Sequence, residues 1–294
     1  MRGGERPSLK TREPAPGPNK KQGFPINHVL AVSLMALLAL LVYSNSFQVP
    51  FQFDDQPNIV KSQSVHVKEF SLPWLGQLIR ENSDSIRVFA YVTFALNYYF
   101  GGLQVFGYHL VNLLIHLSSG LLLYWFLLLT LNLPSLKERY GSIAFSTALF
   151  SSLLFLVHPI QTQSVTYIVQ RMTSLGAMFY LLAMVLYVKG RLSLGVKRYL
   201  YLAGMVLSYL LGLFTKENVA ILPLFIALYE FYFFQNLEVT QKEKKALAYA
   251  VGFVLVIGLL MAALWGRRYF DVIIEGKSVY VAGYFFKYPV VNTL

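Results

Sequence analysis

The sequence predicts an all-α polytopic membrane protein, a bundle of about seven to eight transmembrane helices with a large first outer loop. Three observations predict it. The 294 residues are 56% hydrophobic and only 13% charged, about half the charged fraction of an ordinary soluble domain. The apolar residues arrive in blocks too long and too continuous for one or two soluble domains. The basic residues, which give a net charge of +11, sit in the N-terminal tail and in short segments between the blocks. That is the positive-inside pattern rather than a basic face for nucleic acid. The absence of cysteine excludes disulfides, thiolate metal sites and a cysteine nucleophile.

Residues 1–25, rich in Pro, Gly, Arg and Lys, read as a disordered basic cytoplasmic tail. Residues 26–294 form the multi-span membrane domain. Ile26 to Phe47 is the first span, an uncleaved signal anchor because no small-residue cleavage site follows it. With the N-terminus cytoplasmic, the next stretch falls outside. Residues 45–107 are the longest inter-span segment. Within it, Val65–Leu78 suits an interfacial helix. Ile86–Phe100, at about fifteen residues, is short for a span. If it crossed, every later basic loop would move outside, so it is laid in the interface. Further spans follow at Tyr108–Leu131, Gly141–Val157, Met172–Val188, Tyr199–Phe214, Val219–Phe234 and Leu247–Trp265. Three successive inner loops are then net basic.

This threading gathers the unusual polar residues at the outer boundary. Asp54 and Asp55 lie just beyond the first span, where a carboxylate beside a bilayer is a functional hypothesis by default. The competing reading is a solvated turn, since Asp, Gln, Pro and Asn are turn formers. His109, Asn112 and His116 form one stripe on the second span, a pattern that interhelical hydrogen bonding also explains. His158 precedes Pro159 and ends the third span. Gln163 follows. Thr166, Gln170 and Thr173 then share one helical face, and Tyr167, Arg171 and Ser174 share another. Lys216 and Glu217 close the hairpin of the fifth and sixth spans. An acid outside the bilayer can act as general base on a hydroxyl, and Arg171 and Lys216 at headgroup depth can hold a departing phosphate. A lipid-linked phosphate donor and a water-side acceptor fit both needs. A divalent cation on Asp54, Asp55 and His158 is admissible by ligand type, but no spacing demands one.

Four segments carry a resemblance: Phe-Asp-Asp (53–55), Gly-Tyr-His-Leu-Val-Asn-Leu-Leu-Ile-His (107–116), His-Pro-Ile-Gln-Thr-Gln-Ser-Val-Thr-Tyr-Ile-Val-Gln-Arg (158–171) and Thr-Lys-Glu-Asn (215–218). In this order they resemble the membrane domain of the transmembrane O-mannosyltransferases with tetratricopeptide repeats and their bacterial relatives, within the GT-C class. The resemblance implies a polyprenyl-phosphate sugar donor, an outward-facing site in the first large loop, and inverting transfer to a Ser/Thr-containing exported polypeptide. Asp54 or Asp55 would be the base. Arg171 matches an arginine in the family's segment after His-Pro, and Lys216-Glu217 match its Lys-Glu pair. The donor-phosphate contact of Arg171 and Lys216 is inferred from charge and depth, and His158, Glu217, His109, Asn112, His116, Gln163 and Gln170 would support the pocket. The family often carries an acidic residue two positions after the arginine, where this chain has Thr173. The family's further spans and repeats are absent, so a fragment or a shortened relative is expected. The absent cysteines and Gln170-Arg171-Met172-Thr173 favour a bacterial inner membrane over the endoplasmic reticulum. The rival classes are a transporter and a non-catalytic scaffold that binds lipid-linked sugar. Transport predicts ionisable residues deep in several spans, whereas here they cluster at one boundary.

Overall fold

A computed structural model describes residues 26–81 and 87–234, with isolated positions between 245 and 263. The basic tail and the span expected at Leu247–Trp265 lie outside the described residues, apart from those isolated positions. Among the described residues the chain is all-α. Its helices are α1 (Ile26–Tyr43), α2 (Leu72–Glu81), α3 (Val88–Gly101), α4 (Val105–Leu131), α5 (Lys137–Tyr140), α6 (Ala144–Val157), α7 (Thr162–Thr166), α8 (Arg171–Leu192), α9 (Val196–Leu213) and α10 (Leu222–Phe233).

Among the described residues, four segments are long and apolar enough to cross a membrane: Ile26–Ser46, Val105–Leu131, Lys137–Val157 and Ile168–Leu192. The chain is a membrane protein. α9 carries Lys197 and Arg198 in its first turn, and α10, which has Pro223 in its first turn, is only 12 residues long; both fall outside that group. α3 has 14 residues, about 21 Å of helix, well short of a hydrocarbon core of about 30 Å.

α8 is the central helix, packed along α9 and α4, while α4 also packs on α6 and α1. α1 shows why such a helix suits lipid. It buries Ala31, Met35, Ala39 and Tyr43 at four-residue intervals and leaves Leu30, Leu34, Leu37 and Leu41 outward. At the α4–α6 crossing, a Cβ on Gly120 would lie 2.6 Å from the Leu156 side chain, so a larger residue there would force Leu156 to shift.

The structure corrects two local expectations. The interfacial helix begins at Leu72 rather than Val65. Pro73 sits in its first turn, where the missing N–H costs nothing, and the Ser71 hydroxyl accepts the Trp74 N–H at 3.3 Å. Val65 instead joins a core beneath the loop with Ile59, Leu78 and Phe94, and Val67 is buried as well. The helical face expected over 166–174 is not continuous. Tyr167 is extended (φ −86°, ψ 110°), which ends α7 and turns the next backbone groups toward the first loop.

The topology separates the two ends of the bundle. The acid pair, the 158–170 segment and the 214–218 turn share one end. The turns bearing Lys137, Arg139, Lys189, Arg191, Lys197 and Arg198 share the other.

Candidate functional site

The acid pair sits on a strained turn. Phe53, immediately before it, has φ +39°, a left-handed conformation that a bulky side chain rarely adopts and that surrounding structure must enforce. Asp55 supplies the enforcement. Its side chain is buried, with Oδ2 accepting the Gln52 N–H at 2.9 Å and Oδ1 accepting the Val169 N–H at 2.7 Å. The second bond exists because the break at Tyr167 frees the Val169 amide. Burial pushes the Asp55 carboxyl up, and the neighbouring Asp54 charge adds to this. The two backbone N–H groups and the charge of His109 pull it partly back.

Asp54 is the opposite case. It is exposed, and its backbone N–H donates to the Tyr167 hydroxyl at 2.8 Å. Its carbonyl accepts the Asn58 amide at 2.7 Å. Its main chain is therefore fixed while its carboxylate remains at the surface. Burial raises the Tyr167 hydroxyl, as do the nearby acid charges and the Asp54 side chain bonded to it, against the lowering bond from the Asp54 backbone N–H.

The His109/Asn112/His116 stripe points at backbone carbonyls that no helix satisfies. His109 Nε2 bonds the Val49 carbonyl at 2.9 Å. The Asn112 amide donates to Val165 and Ile168 at 3.2 and 3.3 Å. His116 Nε2 bonds Leu156 at 3.0 Å, the last turn before Pro159. All three side chains are buried.

Arg171 is enclosed, at 0% exposure. Its Nε donates to Asn112 Oδ1 at 2.7 Å, Nη1 to the Thr93 carbonyl at 3.1 Å and Nη2 to the Tyr108 carbonyl at 2.9 Å. The guanidinium lies over the Phe94 ring, 4.6 Å from its centroid. Carbonyl dipoles and ring faces thus replace a counter-ion. Each of its nitrogens already serves a protein or ring partner, so the structure places Arg171 inside the scaffold rather than on an open phosphate-binding surface.

Lys216 and Glu217 occupy the turn after α9. Arg87 donates Nε to Glu217 Oε1 at 2.9 Å, and the two form an ion pair. Burial alone would raise the Glu217 carboxyl, but the Arg87 hydrogen bonds and the Arg87 and Lys216 charges hold it below the usual carboxylate range. Burial lowers the Lys216 ammonium, and Arg87 lowers it further against the opposing Glu217. No acceptor among the described residues bonds its Nζ.

α3 connects these parts. Arg87 at its start holds Glu217, the Phe89 N–H donates to the Phe214 carbonyl at 3.0 Å, Tyr91 donates to Asn58 Oδ1 at 2.6 Å, and Thr93 receives Arg171. Arg87 was missed by sequence reasoning; its one signal was an isolated cation opening a short apolar segment. The remaining expected residues stand apart. His158 is exposed, with Nδ1 accepting the Ile160 N–H at 3.2 Å. Gln163 is exposed, and Gln170 accepts the Thr173 hydroxyl at 2.8 Å. Among the described residues no three His, Asp or Glu side chains converge as metal ligands. With Asp55 committed to two amides, the donor set does not fit a cation centre on Asp54, Asp55 and His158.

Comparison with known proteins gives relatives of one kind. The chain is 30% identical over 275 residues to protein O-mannosyl-transferase tmtc2 of Xenopus laevis, covering 87% of this chain and 30% of that protein. It is 32% identical over 178 residues to human protein O-mannosyl-transferase TMTC1, covering 58% of this chain and 19% of that protein. It is 32% identical over 184 residues to Drosophila melanogaster protein O-mannosyl-transferase Tmtc3, covering 56% and 20%. The chain thus spans less than a third of the length of these relatives. No family model matches it, and no solved structure matches it.

Proposed function

We propose, for a chain homologous over most of its length to protein O-mannosyl-transferases, that it forms the catalytic membrane portion of a GT-C-type inverting glycosyltransferase. The donor is a polyprenyl-phosphate sugar of the mannose type and the acceptor is a hydroxyl of a Ser/Thr-containing exported polypeptide. The reaction lies at the outer face of a bacterial inner membrane, or the luminal face of the endoplasmic reticulum. The basic turns at the opposite end of the bundle accord with that placement, which puts the N-terminus in the cytoplasm.

The observation that carries this reading is the division of labour between the two acids. Asp55 is spent on holding the strained turn, which leaves Asp54 as the surface carboxylate beside it. Asp54 takes the acceptor's hydroxyl proton. The oxygen attacks the anomeric carbon from the face opposite the phosphate, and the carbon–phosphate oxygen bond breaks with inversion. The polyprenyl phosphate leaves with the electron pair. Lys216, a partly buried ammonium with no bonded acceptor among the described residues, stabilises that developing charge. Glu217 and Arg87 hold the lysine's turn. Arg171, expected from its charge at headgroup depth to hold the phosphate, is better supported as a positioning residue that locks α3, α4 and α8 together. His109, Asn112 and His116 hold the backbone segments beneath the acids.

The test is the anomeric configuration of the product formed from polyprenyl-phosphate mannose and a Ser/Thr peptide. Inversion supports the direct displacement. Net retention would rule it out.

A further inference from the structure

A second feature of the first loop lies outside the machinery described above. A cavity of about 470 Å³ opens between the turn that follows the acid pair and the facing ends of α2 and α3, lined by Asn58, Lys61, Ser62, Gln63, Glu81 and Tyr91 among others. Its size is that of a ligand site, but such sites are mostly apolar, and this wall is amide, hydroxyl and charge. That lining suits a hydrated polypeptide and not a lipid tail.

The cavity shares a wall with the acid turn. Asn58 donates to the Asp54 carbonyl at 2.7 Å and accepts the Tyr91 hydroxyl at 2.6 Å, so it belongs to both. The two charges on the wall differ in their commitments. Glu81 is occupied: its Oε2 accepts the Ser64 N–H at 3.2 Å and its Oε1 accepts the Gln77 amide at 2.8 Å. These bonds hold its carboxyl below the usual range. Lys61 is exposed, and no carboxylate among the described residues pairs with it. An uncharged sugar would make no use of that ammonium. A carboxylate on an incoming chain would.

We propose that this cavity is a subsite for the acceptor polypeptide, that it holds residues flanking the reacting hydroxyl, and that Lys61 selects an acidic side chain there. The inference rests on the transferase reading for the word acceptor, but the binding it describes is measurable without transfer.

The experiment uses the full chain in lipid nanodiscs and two fluorescent peptides of equal length. Each carries a central Ser/Thr, flanked by Glu in one and by Lys in the other. Binding is read by anisotropy at low and high salt. The acidic peptide binds about fivefold tighter at low salt, equivalent to about 1 kcal/mol, and the difference shrinks as salt rises. Lys61→Gln removes the preference and Lys61→Glu reverses it. An unchanged thermal midpoint in both variants shows that the fold is intact, as an exposed position predicts. Equal binding of the two peptides, binding of neither, or an unaltered preference in Lys61→Glu would overturn the subsite. Transfer from polyprenyl-phosphate mannose is assayed alongside. Charge-selective binding without transfer defeats the transferase reading and leaves the polypeptide site standing. Transfer without charge selection defeats the subsite alone.

Discussion

The Asp55 carboxylate accepts the backbone N–H of Val169 at 2.7 Å, across 114 residues of chain. This bond joins the first loop to the segment between α6 and α8, and it exists only because Tyr167 interrupts the helix there. It also distinguishes two adjacent aspartates that composition and spacing leave equivalent.

The clearest consequence is a split between the two acids. Asp54→Asn leaves stability within about 0.5 kcal/mol of the parent, as at other surface positions, and abolishes transfer. Asp55→Asn presents an amide N–H to one of two backbone donors. It costs about 2 kcal/mol, from the unmet bond and the buried polar group. Thermal unfolding in detergent and a transfer assay on the same preparations separate the two effects. Equal destabilisation by both substitutions would contradict the assignment.

Arg171→Lys tests the enclosed guanidinium. A single ammonium cannot reproduce donors aimed at Asn112, Thr93 and Tyr108 together. The variant loses about 3 kcal/mol, as acceptors are left unmet in the interior. For the fraction that remains folded, the affinity for polyprenyl phosphate stays within twofold or so of the parent, since a positioning residue does not touch the donor. Isothermal titration on folded material checks this, and a large affinity loss without destabilisation would restore Arg171 as a phosphate ligand.

Acid sensitivity follows from Glu217. Its folded carboxyl lies below the ordinary value, so its contribution is present above the unfolded carboxylate pKa and is lost as pH falls through the folded one. Asp55, raised instead, has the opposite sign: its contribution is present below the unfolded pKa and fades as pH rises through the folded one. Between about pH 3 and pH 6, Glu217→Gln therefore flattens the acid side of the melting-temperature profile. Arg87→Gln, which removes the partner, flattens it in the same way. A profile as steep as the parent's in both variants would show that the pair does not govern it.

Gly176 on α8 is where the helix backbone passes Lys216. A Cβ there would lie 3.1 Å from the Lys216 Cβ and 3.3 Å from a Val219 methyl. Gly176→Ala displaces the Lys216 turn by a few tenths of an ångström. Helix propensity favours the substitution by up to about 1 kcal/mol, which offsets the crowding, so stability changes little. The apparent KM for donor rises severalfold while the KM for peptide does not. Steady-state kinetics with each substrate varied in turn checks this.

Much of the scaffold was legible in the sequence because long apolar blocks and the basic turns between them report directly on bilayer crossing. The acid pair and the Lys216–Glu217 turn were legible for the same reason: charges stand out beside apolar segments. α3 was legible as a short apolar segment, but not as the connecting element. Its contacts reach Asn58, Arg171 and Glu217 across 33, 78 and 130 residues, and local periodicity carries no trace of them. The burial of Arg171 was hidden too. A guanidinium following a polar segment reads as surface, and only the convergence of Thr93, Tyr108 and Asn112 encloses it. The break at Tyr167 had no Pro or Gly to announce it.

The most direct test of the central claim is transfer of radiolabelled mannose from polyprenyl-phosphate mannose to a Ser/Thr-rich peptide. Nanodisc preparations of the parent chain and its Asp54→Asn variant are compared at matched folded fraction. The account predicts transfer by the parent and a loss of at least about a thousandfold in the variant, with donor binding unchanged, as for removal of a catalytic base that acts in the chemical step. Parental rates in Asp54→Asn would contradict it.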